Sequence, residues 1–195
     1  MTMSTSRLEA FSDGVFAIII TIMVLEFKVP KGHDLASLRP LLPIFISYIL
    51  SFVLVANYWN NHHHLLQLAE TVNGKILWAN AHLLFWLSLT PIATSWMGEN
   101  DSYSVPVALY GVLQLGCGLA FLILSRALVK THEAESLLAT VVGTGNKEKL
   151  SVGIYLIALP LAFVEPWLAF ACYFIVALMW LVPDKRIEKA VKANG

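Results

Sequence analysis

The chain reads as an all-α integral membrane protein with six transmembrane helices. Three observations predict this class. Hydrophobic residues make up 57% of the 195 residues and charged residues only 13%, against about 45–50% and about 25% in a soluble domain. The excess is gathered into blocks close to the 20 or so residues that cross a hydrocarbon core. The polar punctuation between the blocks is short, with no composition shift that marks a second domain, so residues 1–195 are read as one six-helix domain. Net charge is zero and no basic face suggests nucleic acid. Cys117 and Cys172 both fall in apolar stretches and read as packing residues, not as a disulfide framework.

The first block runs from Leu8 to Val29 and carries Glu9, Asp13, Glu26 and Lys28. A charge at the bilayer centre costs roughly 2.5–3.5 kcal/mol on insertion scales, so this helix is expected to face protein or a water-filled path and not lipid. A cleaved leader is not expected: Glu9 and Asp13 stand where positive charge belongs, and no small-x-small site follows. The second block, Leu41 to about Asn60, is opened by Pro40 and Pro43 and extends toward the histidines at 62–64. The third runs from Ile76 to Met97 and the fourth from Val105 to Leu128. The fifth, Lys149 to Val164, is short and contains Pro160. The sixth, Pro166 to Val182, is stopped by Pro183 and Asp184. Glu165 alone separates the last two, which predicts a tight antiparallel hairpin.

With the N-terminus in the cytoplasm, ten of the thirteen basic residues fall in inner segments and only Lys28, Lys31 and Arg39 in outer loops. The positive-inside rule therefore puts both termini in the cytoplasm. Residues 184–195 form a cytoplasmic tail. The loop Gly143-Thr144-Gly145-Asn146-Lys147 lacks phosphate-loop spacing and a preceding strand, and reads as a flexible cytoplasmic turn.

Within helix one, Phe11, Gly14, Ile18, Thr21 and Leu25 follow a 3-4-3-4 spacing and share one stripe, with Asp13 and Ala17 on another side. On spacing alone the stripe is either a helix–helix seam or, if copies meet around an axis, a pore wall with hydrophobic constrictions that gate by dewetting. Glu26 is either a cation-concentrating carboxylate at the outer mouth or the partner of Lys28 or Arg39. Three successive histidines, His62-His63-His64, point about 100° apart and cannot converge on one metal ion along an unbroken helix. His33, His82 and His132 supply no spaced set of histidine boxes.

Arg7-Leu8-Glu9-Ala10-Phe11-Ser12-Asp13 matches the Arg-x-x-x-Phe-Ser-Asp signature of the transmembrane protein 175 family of potassium channels. Tyr58-Trp59-Asn60-Asn61-His62-His63 resembles its Tyr-Trp-x-x-His-His stretch, and Leu89 to Ser95 resembles its Pro-containing end of helix three. Eukaryotic members act in endosomes and lysosomes with two six-helix repeats; bacterial and archaeal members carry one. The resemblance implies a homotetrameric, potassium-preferring cation channel in a prokaryotic cell membrane, with helix one lining a central pore and no cofactor beyond permeant potassium ions. Like the family, the chain lacks a Thr-Val-Gly-Tyr-Gly filter. The narrowest point falls on the aliphatic residue five positions after the motif Asp, here Ile18, and the next layers outward on Thr21 and Leu25. Some members place Ser before that aliphatic residue; this chain has Ala17.

The remaining motif residues are read as a structural network. In lipid an unpaired carboxylate is costly and polar side chains find partners on other helices. Arg7, Phe11, Ser12 and Asp13 are therefore expected to engage Trp59, His62, His63 and Asn80, with the donors of those four satisfying Asp13 and fixing the rotation of helix one. The competing classes are a proton-coupled transporter using Asp13 and the histidines, and a histidine–metal membrane enzyme.

Overall fold

The computed structural model describes residues 5–69, 71–131 and 146–181. The described elements are α1 (Thr5–Leu25), a 3-10 helix (Leu35–Leu41), α2 (Leu42–Gln67), α3 (Gly74–Ser88), α4 (Thr90–Glu99), α5 (Ser104–Thr131), α6 (Asn146–Val164) and α7 (Pro166–Leu181). The predicted tail at 184–195, the end of the sixth block and positions 143–145 of the glycine loop lie outside the described residues. Asn146 and Lys147, expected in that turn, belong to α6.

Helix α5 is the hub. It packs on α3, α4, α6 and α7, and 61% of its most apolar window is buried against 28% for α1. Close approach depends on small residues. A side chain at Gly116 would run into the Trp86 indole, one at Gly111 into Tyr173, and one at Gly98 to within 2.8 Å of the Ile44 backbone. Three large tyrosines, Tyr110, Tyr155 and Tyr173, fill the space between α5, α6 and α7. Cys117 and Cys172 are free thiols, as their apolar settings predict.

Among the boundaries that differ from expectation, two have a clear local reason. Helix α1 stops at Leu25, four residues early: Phe27 N bonds Val24 O at 3.2 Å, and the Phe27 ring turns onto Tyr48 and Phe45. Glu26 and Lys28 thus lie beyond the helix, and two of its four expected charges leave the span. The predicted third helix is broken at Leu89 into α3 and α4. Pro91 has no N–H to offer Leu87 O, and Leu89 instead turns back on Trp86 O at 3.2 Å. By contrast, Pro160 lies inside α6 without ending it.

Among the described residues, four stretches are long and apolar enough to cross a membrane: Thr5–Leu25, Leu35–Gln67, Gly74–Glu99 and Ser104–Thr131. The fifth and sixth predicted spans are shorter cases. Helix α6 opens on Lys147, Glu148 and Lys149. Helix α7 has 16 described residues, about 24 Å at 1.5 Å per residue. The two form the expected hairpin through Glu165, whose N–H reaches Leu161 O at 2.8 Å and whose carbonyl accepts from Leu168 N at 3.0 Å.

Candidate functional site: a two-faced first helix and its polar anchor

Helix α1 buries one face and leaves the opposite face open. Leu8, Ser12, Phe16, Ile19 and Met23 are buried where α1 meets α2, α3 and α4. Two residues further round, about 200° away, lies the predicted stripe. Phe11 is 63% exposed, Ile18 58% and Leu25 80%; Gly14 and Thr21 are exposed as well. A side chain at Gly14 would meet nothing within 4 Å. Among the described residues no helix covers the stripe, so within them it is not a seam. Thr21 Oγ1 donates to Ile18 O at 2.9 Å. Its hydrogen is thereby spent on its own helix, and the oxygen presents only lone pairs outward.

The rotation of α1 is held by a chain of buried polar groups. Ser12 Oγ donates to Leu8 O at 2.8 Å and accepts from Asn80 Nδ2 at 3.0 Å. Asn80 Oδ1 then accepts from His62 Nε2 at 2.7 Å, which places the ring proton on Nε2. Ser12 and His62 are fully buried and Asn80 is 1% exposed. The Phe16 ring packs on His62 with centroids 5.6 Å apart. Thus α1, α2 and α3 are bolted together through one line of side chains at the motif end of α1.

The expected partners are present but shared differently. Among the described residues Asp13 is served by Trp59, whose Nε1 donates to Oδ1 at 2.9 Å. Asn80 goes to Ser12 and His62 to Asn80, and His63 Nδ1 pairs with Glu9 Oε1 at 2.7 Å. The reason is angular: Asp13 stands one residue round from Ser12 and faces the Trp59 side of α2. The Trp59 and His63 rings stack at 6.0 Å, which joins the Asp13 and Glu9 contacts into one outer band. Arg7 is exposed and joins no hydrogen bond or ion pair among the described residues; with Phe11, Leu77 and Ala81 it borders an open groove between α1 and α3.

Glu9 was not among the expected network members, although a charge one turn before Asp13 on the same span was the signal for it. A second missed group ties α2, α4 and α5 together. Thr94 Oγ1 lies 2.7 Å from both Ser51 Oγ and Thr90 O, and Ser51 Oγ lies 2.9 Å from Tyr110 Oη. Isolated hydroxyls in apolar runs were the available cue.

The histidine run fans out as its spacing requires, and no group of three or more His, Cys, Asp or Glu residues among the described residues is placed to hold a metal. Glu26 is exposed on the turn after α1. Lys28 Nζ instead pairs with Glu99 Oε1 at 2.6 Å, clamping the loop after α1 to the end of α4. That bond raises the Lys28 ammonium above its ordinary range.

Residues 7–91 match the family model described as "Endosomal/lysosomal potassium channel TMEM175". A potassium channel of Chryseobacterium sp. (strain P1-3) is 52% identical over 192 residues, covering 98% of this chain and all of the relative. A potassium channel of Chamaesiphon minutus is 30% identical over 189 residues, covering 89% and 92% of the two chains. The crystal structure of a lysosomal potassium-selective channel TMEM175 homolog from Chamaesiphon minutus superposes with a TM-score of 0.78, covering 91% of this chain and 96% of that one at 30% identity.

Proposed function

The chain belongs to the TMEM175 potassium channel family, and from that premise we propose that it conducts potassium passively through a central pore walled by α1 from four identical subunits. It is an integral membrane channel and not an enzyme, and the family implies no cofactor. Residues 1–195 act as one domain of a homotetramer in a prokaryotic cell membrane, surrounded by lipid, with both termini cytoplasmic.

The observation that carries this reading is the division of α1 into two faces. One is fixed by buried packing and the Ser12–Asn80–His62 line. The other carries Ile18, Thr21 and Leu25 and has no cover among the described residues. A symmetric ring of protomers brings that face to the axis. The groove beside Arg7 and Phe11 then offers a place for the neighbouring copy.

At the axis Ile18 forms the narrowest ring. Its branched side chains offer a cation no oxygen, so passage requires loss of hydration water, and a narrow apolar ring also closes by dewetting. A larger monovalent cation holds its water less tightly and meets the lower barrier, which favours potassium over sodium. Thr21, one turn outward, supplies acceptor oxygens where a partly stripped ion needs them, and Leu25 adds a second apolar ring. Glu26, just beyond, raises the local cation concentration at the outer mouth.

Potassium efflux from liposomes containing the purified protein tests this, with Ile18→Asn beside the parent. The polar ring should increase flux and weaken discrimination among monovalent cations. Unchanged flux and selectivity from a correctly assembled Ile18→Asn protein would remove Ile18 from the pore. A monomeric parent would end the proposal outright.

A further inference from the structure

The end of α5 and the start of α3 form an open groove that the pore reading leaves unused. Lys75 lines it from α3, and Ile123, Arg126, Ala127 and Lys130 line it from α5. Asn73 Nδ2 donates to Thr131 Oγ1 at 3.0 Å and ties the two helix ends together there. Lys75, Arg126 and Lys130 are all exposed. Among the described residues no side chain bonds or ion-pairs with any of the three. Arg126 and Lys130 stand four residues apart on one helix, a like-charged pairing that is unfavourable without an anion between them.

Depth and shape narrow the choice of anion. Helix α5 has 28 residues, about 42 Å at 1.5 Å per residue, whereas the hydrocarbon core is about 30 Å thick. The surplus carries the last turns of α5, with Arg126 and Lys130, to the level of lipid headgroups. Trp78, one turn along α3 from Lys75, is 80% exposed, as suits an aromatic side chain at the membrane–water boundary. Toward the bilayer the groove continues into an apolar wall, where Ile123 is 48% and Leu119 43% exposed.

We propose that this groove seats an anionic phospholipid, its phosphate held by Lys75, Arg126 and Lys130 and its acyl chain lying along Ile123 and Leu119. Basic pockets between helices at a membrane surface hold such headgroups by charge attraction. A free phosphate matches the charges but makes no use of the apolar wall. The inference rests on α3 and α5 crossing a bilayer and is independent of which residues line the pore.

The test uses the purified full-length protein in detergent and measures binding of phosphatidylglycerol, with phosphatidylcholine and inorganic phosphate as competitors. Phosphatidylglycerol should bind, and neither competitor should displace it at equal concentration. Arg126→Gln and Lys130→Gln should each weaken binding about fivefold, and Lys75→Gln should do so from the other helix. Lys149→Gln, an exposed charge outside the groove, should change it less than twofold. Displacement by inorganic phosphate would make the occupant a free anion and overturn the lipid assignment. Equal binding of phosphatidylcholine, or an equal loss from Lys149→Gln, would overturn the site. No ion flux is read, so these results stand apart from the fate of the pore proposal.

Discussion

Replacing Asn80 with leucine removes the middle link of the line that fixes α1, and its cost can be worked from the contacts. Ser12 Oγ loses the donor on Asn80 but keeps its bond to Leu8 O, so that oxygen is not orphaned. His62 fares worse. Its Nε2 loses its acceptor at a fully buried site, and its Nδ1 already has no partner there, so the whole ring is left without a hydrogen bond. An unsatisfied buried group costs about 1–3 kcal/mol, while hydrogen bonds between membrane helices average about 0.6 kcal/mol with a maximum of about 1.7. A loss of about 1–2 kcal/mol follows. Trp59→Phe breaks only the bond to Asp13, between side chains that are partly open to the surroundings, and should cost less. The assay is survival of the folded oligomer through a graded detergent or thermal challenge, paired with the reversal potential across a potassium/sodium gradient. Asn80→Leu should lower survival well below Trp59→Phe and leave the reversal potential unchanged. If Trp59→Phe is the more damaging change, or if Asn80→Leu alters ion preference in an intact oligomer, the anchor reasoning is wrong. A cycle with Ser12→Ala sharpens it: the two losses should fall short of additivity by about 0.5 kcal/mol or more, as expected for links of one chain.

Asp13→Ala should reduce assembly or current without changing ion preference, because its carboxylate bonds Trp59 and does not face the Ile18 stripe; bi-ionic recordings on the surviving oligomer decide the point. Gly14→Ala and Gly98→Ala make the same chemical change with opposite expected results. At Gly14 the new methyl meets nothing within 4 Å among the described residues, and alanine is the better helix former by about 0.8–1.0 kcal/mol. Any loss of assembly or current at Gly14 therefore reports contact with another copy, while a protein indistinguishable from the parent in both would place this face away from its neighbours. At Gly98 the methyl would press on the Ile44 backbone at 2.8 Å, and parting α4 from α2 should cost about 1–3 kcal/mol in the same survival assay. Tolerance at Gly98 would mean the crossing is looser than described.

Length and hydropathy are local properties, so the apolar blocks, the α6–α7 hairpin and the two-faced pattern of α1 were legible residue by residue. The stripe of Phe11, Gly14, Ile18, Thr21 and Leu25 follows from helical periodicity alone, and so does the inability of His62, His63 and His64 to meet at one point. Which face of α1 is covered does not follow, because periodicity fixes relative angles and not the absolute rotation of a helix among its neighbours. That choice was made by packing: Phe16, Ile19 and Met23 are drawn against other helices, and Ser12 finds its partner 68 positions away at Asn80. The division of partners between Glu9, Ser12 and Asp13 was likewise hidden, since three donors on α2 and one on α3 are equivalent on paper until the helices are set at fixed angles. The early stop of α1 came from Phe27 turning onto rings of α2, and of the two roles left open for Glu26, the direct pairing with Lys28 was taken by Glu99. Composition determined that this chain dissolves in a bilayer and in what segments. Tertiary packing decided which way its first helix turns, because only contacts between helices carry that angle.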